Sequence, residues 1–336
     1  MGEAVEINMR IRRAFLSILA ISTLGILGDN TSALAQSSWQ SANATETHEE
    51  YLARIVNPTD DSILKIHPAL NPEVYGEVYD PPQPGECPAV VAVVARGSEQ
   101  NSQIRPTRYT SESPWTSNGF EERTIRAFFG HLEQYQLETT GNSVMKDVYV
   151  MGLSDAEYPA ALPLSSQGSS AIEFGASLSS GRESVLTTNE NFEAESGCTP
   201  QYLLVGYSQG VLVLDGYEAE LKARNQYIGS LYIANPALQF DDPTVIGHQP
   251  IRGGVLSSLE EPNKGAPIIN YCLPGDIVCD RSIQQLSASG PEMAGEPFLT
   301  EDARLNQVHL QYFRTEKPWD KEIYATVGSW IKKASN

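Results

Sequence analysis

From residue 87 onward the chain alternates short apolar runs with longer segments in which apolar residues recur at helical spacing. The run 88–95, PAVVAVVA, is rich in small and β-branched residues, which is typical of a strand buried on both faces. The same criteria predict strands over 88–95, 147–153, 201–206, 227–234 and 267–272, and helices over 118–135, 169–188, 209–224 and 319–333. This alternation predicts an α/β fold, a central mostly parallel sheet flanked by helices on both faces, with functional groups at the carboxyl ends of the strands.

The first 35 residues have the order of a secretory signal. A basic stretch at 10–13 precedes an apolar run over 14–27, and Ala-Leu-Ala follows at 33–35. We therefore expect 1–35 to be a signal peptide and the mature protein to be secreted, outside the cell or in its envelope, with no integral membrane segment. A retained N-terminal anchor is the alternative, and the shortness of the apolar run disfavours it.

The next segment, 36–86, differs in composition from the rest of the chain. It contains many Ser, Thr, Asn, Asp and Pro residues and no sustained periodicity, so we interpret it as an N-terminal leader. Residues 87–336 then form the α/β domain.

The charge balance narrows the classes of partner. The chain of 336 residues has 42 acidic and 23 basic side chains and a formal charge of -19. Because no basic stripe is available to neutralise phosphates, nucleic-acid binding is excluded, and anionic membrane surfaces are disfavoured. The composition is that of a self-repelling, monomeric protein whose substrate is neutral or apolar.

Four cysteines, Cys87, Cys198, Cys272 and Cys279, belong to the predicted secreted part of the chain. Disulfides persist in such compartments, and four cysteines allow three pairings. The CxxC pairs and neighbouring histidines of a zinc site are absent from the sequence, so we expect no metal.

The third predicted strand leads directly into Gly206-Tyr207-Ser208-Gln209-Gly210, where a helix is predicted to begin. This is a G-x-S-x-G motif between a strand and a helix, the context in which it forms a nucleophile elbow. The two glycines lack a Cβ, so the chain can turn sharply there and present the Ser208 hydroxyl near the positive end of the helix. The motif predicts a serine nucleophile; an ordinary strand-to-helix turn is the simpler alternative.

A serine nucleophile needs a base and an orienting acid, in the chain order Ser, Asp, His. Asp276 lies just beyond a predicted strand, in a short loop that Cys272 and Cys279 could close. His309 follows Asp276 and satisfies the order, whereas His248 precedes it and is interpreted as a surface residue.

An oxyanion also needs two donors. The residue after the nucleophile, Gln209, supplies its backbone N–H. The second donor is expected from the loop after the first strand, where Ser98 offers an N–H and a hydroxyl. On sequence alone Ser98 is equally well explained as a turn residue.

Five motifs occur in order along the chain, namely ARGSE at 95–99, YPA at 158–160, GYSQG at 206–210, GDIVC at 275–279, and His309 with Tyr312. Together they resemble the successive motifs of the cutinase family, especially the secreted cutinase-like esterases of actinobacteria, over about residues 87–334. The resemblance implies an α/β-hydrolase fold and no cofactor. It implies that Ser208 is the nucleophile, Asp276 the orienting acid and His309 the base. It also implies that Ser98 and Gln209 form the oxyanion hole.

The same resemblance implies disulfides between Cys87 and Cys198 and between Cys272 and Cys279. The first pair suits the predicted sheet, because each of its cysteines precedes a central strand. The segments 241–266 and 280–307 are longer than in compact cutinases. We expect them to form a partial lid or to reshape the acyl groove.

The predicted function is that of a secreted serine esterase that hydrolyses carboxylic esters, such as a cutin-like polyester, lipid or other acyl ester, through an acyl-enzyme. One alternative keeps the triad but acts as a cell-envelope acyltransferase, phospholipase or thioesterase. Transfer of the acyl group to a lipid or sugar alcohol would require water to be excluded from the site. A second alternative is a non-catalytic envelope protein on a hydrolase scaffold.

Overall fold

The computed structural model describes residues 79–98, 104–161, 170–257, 267–282, 308–314 and 316–335. The predicted signal peptide, most of the leader, and most of the segment 280–307 lie outside the described residues, as does 258–266. Within the described ranges, no helix has both the length and the apolar character needed to cross a membrane.

The described residues form one parallel sheet of six strands in the order β2-β1-β3-β4-β6-β5, with helices between them. In chain order the elements are β1 Val90–Ala95, α1 Glu122–Thr140, β2 Val148–Gly152, α2 Ser170–Ser196, β3 Gln201–Tyr207, α3 Gln209–Leu214, α4 Tyr217–Ala223, β4 Tyr227–Ile233, β5 Val245–Gly247, β6 Ile268–Cys272 and α5 Asp320–Ala334. The predicted α/β class with a parallel sheet is confirmed.

Four elements differ from the sequence prediction. The helix predicted over 118–135 is α1 Glu122–Thr140, and the helix predicted over 169–188 extends to Ser196 as α2. The helix predicted over 209–224 is broken into α3 and α4, because Gly216 adopts a left-handed conformation with φ 86° between them. Strand β5 was not predicted, since three half-buried residues are too few to show a periodic pattern.

The core lies on both faces of the sheet, as the apolar run of β1 predicts. All six residues of β1 are fully buried. Val90, Ala92 and Val94 pack on the face that includes Phe128 of α1, whereas Val91 and Val93 belong to the cluster on the opposite face. Burying a valine side chain contributes about 1.5–3 kcal/mol, so this central strand is a rigid base for the loops at its carboxyl end.

Both disulfides implied by the family resemblance are present in the structure. Cys87 is bonded to Cys198, 111 residues away, and the two residues precede the neighbouring strands β1 and β3. Cys272 is bonded to Cys279 and closes a loop that starts at the end of β6. All four cysteines are therefore used in structure, and none is a free thiol.

The two disulfides are expected to differ in their contribution to stability. In the chain-entropy description, a bond between residues 111 positions apart contributes about 4.7 kcal/mol to the free energy of unfolding, and a bond across seven positions about 2.5 kcal/mol. Denaturant unfolding of Cys87→Ser/Cys198→Ser should therefore show the larger loss. The matched double variant Cys272→Ser/Cys279→Ser should lose less stability, and a larger loss in that variant would contradict the expectation.

Candidate active site

Ser208 lies at a sharp turn between the last residue of β3 and the first residue of α3. Its backbone has φ 53° and ψ -119°, a conformation that non-glycine residues rarely adopt. The Ser208 N–H donates to the carbonyl of Ile233 in β4 at 2.9 Å, which ties the turn to the neighbouring strand. A strained serine between a parallel strand and a helix has the geometry that a nucleophile elbow requires.

The two glycines of the motif are required by close backbone contacts. A Cβ on Gly210 would lie 1.9 Å from the carbonyl oxygen of Ala95 and 2.6 Å from that of Arg96. A Cβ on Gly206 would lie 2.8 Å from the Cα of Val211. The start of α3 therefore lies directly against the carboxyl end of β1, where the loop with Ser98 begins.

This close contact gives a testable expectation for Gly210→Ala. The added methyl group must displace either α3 or the end of β1, and a misplacement of about 1 Å at a catalytic group can lower kcat about 100-fold. Gly216→Ala is the matched control, because a Cβ there meets no atom within 4 Å and only the left-handed backbone is strained, at about 1–2 kcal/mol. Steady-state kinetics and thermal unfolding of both variants check this, and a Gly210→Ala enzyme with normal kcat would contradict it.

The structure brings Ser208, His309 and Asp276 together in one chain of hydrogen bonds. The Nε2 atom of His309 lies 3.1 Å from the Ser208 Oγ, and its Nδ1 atom lies 3.0 Å from the Asp276 Oδ2. The Asp276 side chain is fully buried, and that of His309 is 20% exposed. The imidazole thus connects a buried carboxylate to a hydroxyl at an accessible position.

Asp276 is held within the acid loop, defined here as residues 272–279. The disulfide between the first and last residues closes this loop. The backbone N–H of Val278 donates to the Asp276 Oδ1 at 3.0 Å, and the hydroxyl of Tyr312 donates to its Oδ2 at 2.8 Å. The Asp276 Oδ1 is therefore held by the Val278 N–H, and its Oδ2 is held by the Tyr312 hydroxyl as well as by His309.

Tyr207, at the end of β3, holds His309 from one side. Its ring stacks on the imidazole at 5.1 Å between centroids, and its hydroxyl donates to the His309 carbonyl oxygen at 2.6 Å. Burial, and next the charge of Asp276, raises the pKa of Tyr207 well above its usual range. The phenol therefore remains neutral, and remains a donor, at neutral pH.

Ser98 and Gln209, the two predicted oxyanion residues, are joined through their side chains. The Ser98 Oγ donates to the Gln209 Oε1 at 3.1 Å across 111 residues of sequence. The Gln209 side chain is buried, and its Nε2 has no hydrogen-bond partner among the described residues. The contact places the loop after β1 beside the amino end of α3.

Arg96 also contributes to the site, although the sequence motifs did not predict a role for it. It is 1% exposed, and its guanidinium donates to the carbonyl oxygens of Leu153 at 2.5 Å and Tyr158 at 2.6 Å. The Tyr158 hydroxyl donates in return to the Arg96 carbonyl oxygen at 3.0 Å. This reciprocal pair fixes the loop before Ser98. A charged residue directly after an entirely apolar strand was the signal in the sequence.

His248, interpreted from the sequence as a surface residue, is only 22% exposed. Its Nε2 lies 2.8 Å from the Oδ2 of Asp280, whose side chain is fully buried. This second His–Asp pair joins the end of β5 to the residue that follows the acid loop. It has the elements of a His–carboxylate dyad and lies outside the chain of hydrogen bonds through Ser208, His309 and Asp276.

The described residues contain no group of three or more His, Cys, Asp or Glu side chains placed to hold a metal ion.

No protein-family model matches the chain, and no curated protein matches it. Among solved structures, the chain is similar to a cutinase-like protein from Cryptococcus sp., with 17% sequence identity and a TM-score of 0.36, over 68% of this chain and 95% of that chain. It is also similar to Trichoderma reesei cutinase, solved with a C11Y4 phosphonate inhibitor, with 15% identity and a TM-score of 0.34, over 85% of this chain and 92% of that chain. Both of these proteins are fungal, so the specific resemblance to secreted esterases of actinobacteria stays a prediction.

Proposed function

We propose that the protein is a serine esterase that hydrolyses carboxylic esters, with Ser208 as nucleophile, His309 as base and Asp276 as orienting acid. The observation that carries the proposal is the continuous hydrogen-bond chain from the strained Ser208 through His309 to the buried Asp276. Such a chain is the general means by which proteins make a serine hydroxyl nucleophilic at neutral pH.

In the first half of the reaction, the Ser208 Oγ attacks the ester carbonyl carbon and its proton moves to the His309 Nε2. The imidazolium that forms is stabilised by the Asp276 carboxylate at its Nδ1–H. His309 then gives the proton to the leaving alkoxide, the ester C–O bond breaks, and the acyl group remains on Ser208. In the second half, a water molecule gives a proton to the His309 Nε2 as its oxygen attacks the acyl carbon. The bond between that carbon and the Ser208 Oγ then breaks, His309 returns the proton to the Ser208 Oγ, and the carboxylic acid leaves.

The tetrahedral intermediates carry a negative oxygen that must be met by donors already in place. The backbone N–H of Gln209 is one donor, since it is the first residue of α3 and directly follows the nucleophile. Ser98 is the other, through its N–H and through its hydroxyl when that proton turns away from the Gln209 Oε1. The Arg96–Tyr158 pair holds the Ser98 loop, which reduces the rearrangement that the reaction requires.

The net charge of the chain supports a class of substrate, and its disulfides support a location for the protein. A chain with a formal charge of -19 repels anionic ligands and favours a neutral ester. Two disulfides suit a protein that works outside the cytoplasm, in agreement with the signal peptide predicted over 1–35. We therefore place the esterase outside the cell or in its envelope.

The proposal is tested by the mature chain acting on p-nitrophenyl esters from acetate to palmitate, with Ser208→Ala as the blank. We expect the wild-type protein to hydrolyse these esters and the Ser208→Ala blank not to. The preferred acyl chain length then measures the length of the acyl groove. Transfer of the acyl group to an added alcohol in excess of hydrolysis would assign the protein to the acyltransferases instead. Equal inactivity of both proteins on every ester would contradict the proposal.

A further inference from the structure

Tyr312 contacts the acid of the triad without contacting the nucleophile. It follows His309 by three residues, and its ring is fully buried. Its hydroxyl lies 2.8 Å from the Asp276 Oδ2 and 2.9 Å from the backbone nitrogen of Leu273. The oxygen it touches is the one that lies 3.0 Å from the His309 Nδ1.

The direction of these hydrogen bonds follows from the groups involved. Leu273 can only donate through its N–H, so the Tyr312 oxygen accepts that bond. An ionised carboxylate can only accept, so the phenolic proton points to Asp276. The sulfur of Cys279, at 3.5 Å, is a weaker neighbour. Burial, and next the charge of Asp276, raises the pKa of Tyr312 well above its usual range, so the proton stays in place.

We propose that Tyr312 is a positioning residue for the triad: its hydroxyl fixes the Asp276 carboxylate toward His309 and withdraws part of the charge that the imidazole senses. This inference rests on the proposed esterase function. The Asp276 Oδ2 then has two donors, Tyr312 and His309, and its Oδ1 has a third in the Val278 N–H. A carboxylate with every partner fixed cannot rotate away when the imidazole becomes charged.

A neighbouring tyrosine provides a matched comparison. Tyr271 in β6 is also fully buried, and its hydroxyl donates to a buried carboxylate, the Asp320 Oδ1, at 2.7 Å. Its ring packs edge-on against that of Tyr312, with 5.1 Å between centroids. The two tyrosines thus share burial, packing and the type of hydrogen bond, but only the carboxylate of Tyr312 belongs to the triad.

Removing the Tyr312 hydroxyl leaves more negative charge on the Asp276 Oδ2, which favours the protonated form of His309. Because the free enzyme needs a neutral imidazole to accept the Ser208 proton, the acid limb of the kcat/KM profile moves to higher pH. Among the described residues, the other titratable side chains beside the His309–Asp276 pair are Tyr207, whose ring stacks on that of His309, and Arg314, whose charge acts on Tyr207. Both are unchanged in a Tyr312 variant and so do not account for such a shift.

The first test compares Tyr312→Phe with Tyr271→Phe in the mature chain. Loss of a hydrogen bond to a charged group, worth about 1.5 kcal/mol, corresponds to a kcat about tenfold lower for Tyr312→Phe, with little change in KM and with the acid limb moved to higher pH. Tyr271→Phe is expected to lose stability while keeping the wild-type kcat and pH profile. A Tyr312→Phe enzyme with wild-type kcat and profile, or equal changes in both variants, would overturn the inference.

A second variant keeps the fold intact. Site-specific 3-fluorotyrosine at position 312 retains both the ring and the hydroxyl but makes the phenol a stronger donor. It should move the acid limb to lower pH, whereas 3-fluorotyrosine at position 271 should leave it in place. If 3-fluorotyrosine at position 312 leaves the acid limb of the kcat/KM profile in place while the wild-type protein is an active esterase, the inference is overturned. If the wild-type protein is inactive, the proposed function itself is overturned.

Discussion

Ser208→Ala is expected to lower kcat for ester hydrolysis about 10⁶-fold, the largest effect of any single change in this protein. The variant removes the only hydroxyl in the described structure that His309 contacts through its Nε2. What remains is acceleration by binding and by the oxyanion donors, which is about 10³–10⁴-fold over water in serine hydrolases. Active-site burst kinetics should disappear together with turnover.

Ser230→Ala is the control for this change. Ser230 is fully buried in β4, beside the elbow strand, and its Oγ contacts the hydroxyl of Tyr227 rather than a triad residue. Its loss should affect stability and leave kcat near the wild-type value. If Ser208→Ala retained more than about a thousandth of wild-type kcat, Ser208 would not be the nucleophile.

Asp276→Asn is expected to lower kcat about 10⁴-fold. The amide is nearly the same size as the carboxylate but has no negative charge, and its NH₂ group is a donor. If that group faces the His309 Nδ1, the imidazole carries its proton on Nε2 and cannot accept the Ser208 proton. The loss should therefore fall on kcat and leave the acyl-binding part of KM largely unchanged.

Asp280→Asn is the matched control, because Asp280 is also a fully buried carboxylate bonded to a histidine, and it adjoins the acid loop. Its variant should keep kcat within about tenfold of wild type, since His248 and Asp280 lie outside the proposed proton path. A loss as large as that of Asp276→Asn would show that the two pairs act together or that the wrong pair has been assigned. Steady-state kinetics of the two variants on one aryl ester distinguishes these results.

The sequence predicted those features whose causes are local. The apolar run of β1 demanded burial on both faces, and the glycines around Ser208 allowed a turn that larger residues would block. Chain order alone selected His309 over His248 as the base. In these places the pattern of a few neighbouring residues determines the structure, so it can be interpreted without knowing the rest of the fold.

Features that depend on contacts between distant segments were not predictable in the same way. Arg96 meets Tyr158 across 62 residues, and Tyr312 meets Asp276 across 36. Both Arg96 and Tyr312 belong to motifs of the family resemblance, but the resemblance predicted no role for either residue. Only the sheet, which brings the ends of β1, β3 and β6 to one edge, makes these side chains neighbours.

The esterase proposal depends above all on Ser208 being an activated nucleophile. The mature protein is treated with a p-nitrophenyl alkylphosphonate, release of p-nitrophenol is followed, and the site of the adduct is located by peptide mass spectrometry. We expect stoichiometric release with the phosphonyl group on Ser208, no labelling of Ser208→Ala, and slow labelling of Asp276→Asn. An adduct on another residue, or no adduct on the folded wild-type protein, would contradict the esterase proposal.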